Sequence, residues 1–144
     1  MKFTLNIDKS KDEEIIVTAH ERTKLIDEIE RLVTNDTFEL VCMDADKTAV
    51  ILDFADIHCF VVENNKVYAY TYKKKYTVKY RIYQLAEKLP KSFIKVNQSC
   101  IANIKQIERF DVSIAGSLII KFKCGYTDCV SRRQLKDFKE RFGI

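Results

Sequence analysis

The fold of this chain is decided by one stretch, Phe93-Ile94-Lys95-Val96-Asn97-Gln98-Ser99-Cys100-Ile101-Ala102-Asn103-Ile104, in which a polar block interrupts apolar residues. About thirty residues later, a second apolar anchor is followed by polar groups in Val130-Ser131-Arg132-Arg133. The polar residues of both segments are amides, hydroxyls and cations, which hydrogen-bond bases and neutralise phosphates. Neither segment contains a carboxylate or a histidine. Together they predict a DNA-binding surface.

Charge is divided unevenly along the chain. Residues 1–56 carry 7 Lys and Arg against 14 Asp and Glu, a balance of −7, whereas residues 57–144 carry 18 against 7, a balance of +11. The basic part creates a positive potential that attracts polyanions, and we expect the acidic part to lie off that surface. A solvated basic face without a ligand is the alternative, and charge alone leaves both interpretations open.

Length and composition indicate one folded domain with room for a small appendage. The 144 residues are 47% hydrophobic and include a single proline, which leaves ample material for a core and little for disorder. The N-terminus alternates polar and apolar residues and lacks a signal-peptide core. Asp53 and Asp56 interrupt the longest apolar run before it could span a bilayer. The sequence therefore predicts a cytoplasmic protein.

Cysteine and histidine usage indicates neither a disulfide framework nor a metal site. Five cysteines at irregular spacing, in a chain without an export signal, are expected to be free thiols. Cys124 and Cys129 flank a predicted turn at Gly125 and could face each other across a hairpin, which leaves a redox-sensitive pair open. With only His20 and His58 available, we expect no metal, and nothing in the sequence calls for a cofactor.

The first 36 residues predict a small acidic unit of two strands and a helix. Thr18 and Glu21 have the spacing of a capping box before an amphipathic segment. Because the helix is amphipathic, we expect unit 1–36 to serve dimerisation or partner binding, and packing on its own domain is the open alternative. The predicted elements are strands at 3–7 and 15–19 and a helix from Leu25 to Val33 that ends at Asn35-Asp36.

Short strands dominate residues 37–144, and the predicted fold class is mainly β, a β-rich α+β arrangement. A helix from about Arg81 to Leu89 is stopped by Pro90, and its apolar residues keep the helical spacing that is typical of packing. The predicted strands are 38–43, 48–53, 57–62, 67–72, 76–80, 93–96, 104–113, 118–123 and 126–130, and a final helix follows from Ser131.

The final helix places two cations where a structural role would favour acids. Ser131 and Gln134 have capping-box spacing, which puts Arg132 and Arg133 at the first two helical positions. Cations at the positive end of the helix dipole cost on the order of 0.3 to 1 kcal/mol each. A guanidinium held outward there can bond guanine or clamp a phosphate. A surface ion pair with nearby acids, Asp128 or Asp137, is the open alternative, and Gly143 is expected to end the helix.

These residues resemble the LytTR family of bacterial DNA-binding domains, over about Phe38 to Ile144. The family couples an Asp-Ile strand start, here Asp56-Ile57, to a patterned block and a closing Val/Ile-Ser-Arg before a helix, here Val130 to Arg133. The block is matched by Phe93, Lys95, Val96, Ser99, Asn103 and Ile107. Where the family often has His and then Arg or Lys, this chain has Asn97 and Gln98, a difference that affects the target sequence.

The resemblance implies a mainly β fold that inserts loops into successive major grooves of a bent DNA duplex. Lys95 would contact a phosphate or pack its stem along the sheet. Asn97 would bond a base, and Asn103 is expected to satisfy backbone groups of a turn. The remaining implied contacts are Asn65 and Lys66, Gln98 and Ser99, and Arg132 and Arg133.

The sequence and its resemblance predict a non-enzymatic transcription regulator that binds double-stranded DNA. We expect a homodimer on repeated half-sites and no small-molecule substrate. The chain resembles the short stand-alone type of the family, which is often encoded beside a small membrane protein, so such a protein is a possible partner. An RNA-binding or protein-partner-binding module is the alternative. An enzyme is disfavoured, because the three glycines form no phosphate-cradling loop and the histidines no metal motif.

Overall fold

The computed structural model describes residues 1–34 and 38–144, and the predicted helix end at Asn35-Asp36 lies outside the described residues. The chain divides into two compact units, Met1–Thr37 and Phe38–Ile144. Within the described residues, no helix is long and apolar enough to cross a membrane.

The first unit contains the predicted helix, α1 at Lys24–Thr34, but not the two predicted strands. Residues 1–23 belong to no sheet. Apolar alternation produces a strand only where a neighbouring strand pairs with its backbone, and this segment has no such neighbour in the structure. Its alternating apolar side chains, Phe3, Leu5 and Ile7, are therefore exposed. The predicted β-β-α arrangement of 1–36 is thus wrong in its strands and right in its helix.

Helix α1 also begins later than its predicted capping box. The helix starts at Lys24, and the Thr23 hydroxyl accepts the Ile26 N–H at 3.4 Å. Thr18 and Glu21, the predicted pair, lie before the helix. Thr23 is followed at the third position by Ile26 and not by Glu or Gln, so it lacks the capping-box spacing by which the sequence analysis located the helix start.

The described residues of 38–144 form two antiparallel sheets and two helices, which confirms the predicted mainly β class. The seven-stranded sheet has the strand order β2-β1-β5-β4-β3-β7-β6, and the three-stranded sheet the order β10-β9-β8. The elements are β1 Leu40–Met43, β2 Ala49–Leu52, β3 Ile57–Glu63, β4 Lys66–Thr71, β5 Lys75–Val78, α2 Ile82–Lys88, β6 Phe93–Asn97, β7 Cys100–Asn103, β8 Ile107–Val112, β9 Leu118–Phe122, β10 Thr127–Cys129 and α3 Arg132–Phe142.

Strand β7 was missed by the sequence analysis, which expected the next strand only near Ile104. Its sequence, Cys-Ile-Ala-Asn, is short and contains two residue types that are uncommon in strands. Tertiary pairing decides its conformation instead, because β7 lies between β3 and β6 and pairs with both. Ile104, the predicted strand start, begins a 3-10 turn that ends at Gln106.

Alternate residues of β3, an interior strand of the seven-stranded sheet, contribute to two separate cores. Phe60 packs with Leu85 of α2 on one face of the seven-stranded sheet. Cys59 and Val61 point to the other face, where they meet the three-stranded sheet and α3 through Phe122 and Phe138. This two-residue period lets one strand bury both faces. The second core is the one that attaches α3, and with it the two arginines, to the seven-stranded sheet.

Asn103 fills the structural role that the sequence predicted for it. Its side chain is 2% exposed, and its amide nitrogen donates to the carbonyls of Ile57 at 2.8 Å and Phe54 at 3.3 Å. Its Oδ1 accepts the Lys105 N–H at 3.1 Å. One buried amide therefore joins the end of β7 to the start of β3.

We expect Asn103→Ala to lower the free energy of unfolding by about 1 to 3 kcal/mol, because it leaves buried backbone groups without partners. Urea denaturation followed by circular dichroism measures the change. Asn6→Ala is the matched control, since Asn6 is exposed in the first unit and its loss should cost less than about 0.5 kcal/mol. Equal effects of the two substitutions would contradict the structural role of Asn103.

Candidate nucleic-acid interface

Three polar segments that are far apart in the sequence meet at one edge of the second unit. The Val62 N–H donates to the Ser99 carbonyl at 2.8 Å, which places the β6–β7 turn beside the end of β3. The Ser131 N–H donates to the Val96 carbonyl at 3.0 Å, which places the start of α3 beside the end of β6. We call residues 64–66, 97–99 and 130–133 together the loop edge.

The β3–β4 turn presents Asn65 and Lys66 at the loop edge. Asn64 and Asn65 have φ values of 50° and 62°, and two consecutive positive values are typical of the tight hairpin turns that asparagine tolerates. Lys66 opens β4 opposite Glu63. All three turn residues are exposed, and neither Asn65 nor Lys66 makes a side-chain hydrogen bond or ion pair within the described part of the chain.

The β6–β7 turn divides its polar residues between internal and outward roles. The Asn97 amide nitrogen donates to Asp128 Oδ1 and to the Cys129 carbonyl, both at 2.9 Å, and its Oδ1 accepts the Ser99 N–H at 2.8 Å. Both amide hydrogens of Asn97 are thus used inside the protein. Gln98 and Ser99 are both exposed, so the amide of Gln98 and the hydroxyl of Ser99 stay available to a ligand.

The internal bonds of Asn97 alter the role that the sequence suggested for it. A base contact by its amide nitrogen would require breaking two hydrogen bonds to strand β10. The bond to Asp128 is partly buried, so its loss would leave the Asp128 carboxylate short of a donor that water does not fully replace. Asn97 therefore positions the turn and the β10–α3 connection relative to each other, and Gln98 is the amide of this turn that faces outward.

Asp128 accepts one of the two hydrogen bonds that the Asn97 amide nitrogen donates. Its carboxylate also accepts the Tyr126 hydroxyl at 2.9 Å and the Cys129 N–H at 2.8 Å. Burial, together with the hydrogen bond to Asp128, raises the pKa of the Tyr126 phenol, so the phenol remains a donor. The sequence analysis considered Asp128 as an ion-pair partner for the arginines, whereas the structure uses it to join β6, β10 and the aromatic core.

Helix α3 presents Arg132 and Arg133 at its first two positions, as predicted. Both side chains are exposed, and neither forms an ion pair with any residue that the structure describes, including Asp128 and Asp137. The helix ends at Gly143, whose φ of 67° is the left-handed conformation expected of a C-terminal cap. Two unpaired guanidinium groups at the positive end of a helix are unfavourable without a bound anion.

The predicted capping box at Ser131 and Gln134 does not form. Ser131 is the N-cap residue, but its side chain makes no capping hydrogen bond. A capping box also needs the backbone N–H of the N-cap residue, and the Ser131 N–H already donates to Val96. The helix start is therefore fixed by tertiary contact with β6, a contact that the local sequence does not show.

Lys95 lies in strand β6, two residues before the loop edge begins at Asn97. It is half-buried in β6 and pairs with Ile101 of β7, whose side chain belongs to the core beneath α2. Its burial supports the predicted packing of its stem along the sheet. The predicted phosphate contact of its amino group stays a prediction.

A second acid near the loop edge, Glu63, is neutralised by groups that the sequence analysis did not single out. Its Oε2 is 2.9 Å from Lys75 Nζ, and its Oε1 accepts the Tyr70 hydroxyl. The hydrogen bond from Tyr70 and then that from Lys75 lower the pKa of Glu63. Lys75 in turn lies over the Tyr68 ring at 4.5 Å. These partners come from β4 and β5, so only the strand register reveals them.

The cysteines do not form the hairpin pair that the sequence left open. Cys124 lies in the turn after β9, whereas Cys129 ends β10 and pairs with Ile119, so they occupy opposite ends of the hairpin. Cys59 and Cys100 approach each other in the core instead, where their hydrogen bond and burial raise the pKa of Cys100. All five cysteines are free thiols.

The LytTr DNA-binding domain family matches residues 47–143, which include the whole loop edge. This chain belongs to that family. It is therefore a DNA-binding domain of a kind found in regulators, and the family is not an enzyme family. The predicted resemblance is confirmed by this match and by the fold.

Relatives and a solved structure agree with the family assignment. Several Staphylococcus aureus proteins described as uncharacterized HTH-type transcriptional regulators, including one from strain COL, are 35% identical over 99 residues, which cover 69% of this chain and 67% of each relative. A solved LytTr DNA-binding domain from Bacillus cereus superposes with a TM-score of 0.68 over 75% of this chain and 100% of that chain, at 20% identity. The structural likeness supports the fold alone.

Substituting the two adjacent amides of the β6–β7 turn should separate positioning from contact. We expect Asn97→Ala to lower the free energy of unfolding by about 1 to 2 kcal/mol, because three hydrogen bonds are lost. Gln98→Ala is the matched control, and its change should stay within about 0.5 kcal/mol because the side chain is exposed. Urea denaturation measures both. An unchanged stability of Asn97→Ala would mean that the Asp128 bond does not hold the loop edge together.

Proposed function

We propose that this protein is a sequence-specific transcription regulator that binds double-stranded DNA by inserting the loop edge into the major groove at promoter repeats. The observation that carries the proposal is the gathering of unpaired cations and outward amides on one edge of a rigid fold. Outward amides suit base edges, and exposed arginines suit guanine or phosphate. The family and the names of the relatives support a regulator that binds DNA.

The residues of the loop edge divide the work of recognition. Gln98 and Asn65 are the side chains we assign to base contacts, since amides can bond adenine in a bidentate way. Arg133 and Arg132 contact guanine or phosphate. Lys66 and Ser99 contact the sugar-phosphate backbone of the DNA. Asn97 acts through Asp128 by holding the turn in place. Lys95 supplies a phosphate contact from the side of the edge.

We also propose how the protein assembles and where it acts. A homodimer would match the repeated half-sites on which such regulators act, and the first unit, with its exposed apolar residues, is the part we assign to dimerisation or to a small membrane protein partner. Residence in the cytoplasm suits a protein that acts on promoters. Size-exclusion chromatography measures the oligomeric state of the protein, and this measurement does not depend on the DNA contacts.

Binding to duplex fragments from the protein's own promoter region tests the proposed function. We expect affinity that depends on sequence and falls steeply with salt, because phosphate contacts release counterions. The Arg133→Ala, Gln98→Ala double variant should lose its sequence preference and about one unit of salt slope if Arg133 contacts phosphate. Fluorescence anisotropy across a salt series measures both quantities.

The control is a Lys73→Ala, Asn6→Ala double variant, which removes one exposed cation at the opposite end of β4 from Lys66 and one exposed amide of the first unit. It should bind like the wild type. Weak binding that ignores sequence and is unaffected by the first double variant would contradict the proposal. Preference for single-stranded RNA over the duplex would favour the RNA-binding alternative.

A further inference from the structure

A fourth loop, 113–117, projects from the same edge of the fold as the three polar segments. It connects β8 to β9, and the cross-strand pair of Val112 and Leu118 closes it. The Val130 N–H donates to the Leu118 carbonyl at 2.8 Å, one residue before the N-cap of α3. Loop 113–117 therefore begins beside the residues that carry Arg132 and Arg133.

Hydrogen bonds within the loop hold it in one shape. The Ser113 N–H donates to the Ser117 carbonyl at 2.8 Å, and the Gly116 N–H donates to the Ser113 carbonyl at 2.9 Å. The Ser117 N–H also donates to the Ser113 hydroxyl at 3.0 Å. Gly116 takes a φ of 82°, which a side chain would strain. The loop is a closed hairpin tip that presents its middle residues outward.

The tip of loop 113–117 is apolar, whereas the neighbouring loop edge is polar. Ile114 is 110% exposed, more than any other large hydrophobic residue among those described, and Val112 is 74% exposed. The loop contains no charged residue, so it offers nothing to a phosphate. Two aliphatic side chains also cover far less than the roughly 1,200 Å² that a stable protein interface buries.

Double-stranded DNA has one apolar group that such a tip can reach in the major groove, the 5-methyl group of thymine. The tip starts beside the arginines at the loop edge, so it meets base pairs next to theirs when the edge enters the groove. Contact between an aliphatic side chain and this methyl removes apolar surface from water on both sides.

We propose that Ile114, supported by Val112, contacts thymine methyl groups in base pairs adjacent to those that Arg132 and Arg133 contact. The proposal rests on the proposed function, because it needs the loop edge to enter a major groove. It adds a specificity-determining residue of a different chemistry from the amides and cations. It predicts that this protein prefers thymine at a position that no polar side chain selects.

In vitro selection from random duplexes, performed with the full-length wild type and with Ile114→Ser, tests the proposal. We expect both proteins to select a site, with a thymine that the wild type enriches and Ile114→Ser does not. Replacing that thymine with deoxyuridine, which lacks only the methyl, should weaken wild-type binding about three- to fivefold, the effect of one buried methyl. The same replacement should leave Ile114→Ser unaffected.

Ile51→Ser is the matched control, since Ile51 is 64% exposed on edge strand β2, far along the sheet order from β6 and β7. It should keep the wild-type thymine preference. Two results would overturn the proposal and leave the proposed function standing. In the first, Ile114→Ser keeps the wild-type preference for thymine; in the second, Ile114→Ser binds both the thymine and the deoxyuridine duplex more weakly than the wild type by the same factor. Failure of the wild type to select any site would instead overturn the proposed function.

Discussion

The loop edge depends on the junction between β6 and the β10–α3 connection. There the Val96 carbonyl accepts the Ser131 N–H, and the Asn97 amide bonds Asp128 and the Cys129 carbonyl. Residues more than thirty positions apart are thereby held in a fixed relation. Without this junction, the outward amide of Gln98 and the arginines of α3 would be related by apolar packing and by hydrogen bonds farther from the loop edge, such as that from the Cys124 N–H to His58 Nδ1. Apolar packing constrains position less closely than directed hydrogen bonds.

The electrostatic character of the loop edge follows from how its acids are used. Glu63 is bonded to Tyr70 and Lys75, and Asp128 accepts three donors from the protein itself. Neither carboxylate is left to compete with a phosphate for the exposed cations. Lys66, Arg132 and Arg133 therefore present their positive charge to solvent, and such unpaired charge attracts and steers a polyanion toward the edge.

The sequence predicted the class of fold, most strands, and the place of the arginines, because alternation and helix ends are local signals. It could not predict β7, whose strand conformation depends on neighbours on both sides. It wrongly predicted strands before α1, since alternation there finds no partner, and a capping box at Ser131, whose N–H is taken by Val96. The positioning role of Asn97 escaped it for the same reason: its partners lie on another sheet.

The most direct test of the shared loop edge is a map of backbone amide chemical shifts in the full-length protein, titrated with a duplex that it selects. The account predicts that the largest changes fall together on residues 64–66, 97–99 and 130–133, while β1, β2 and α2 change little. Changes centred on another surface, such as the lysines between β4 and β5, would contradict it and would place the DNA contact at the opposite end of β4.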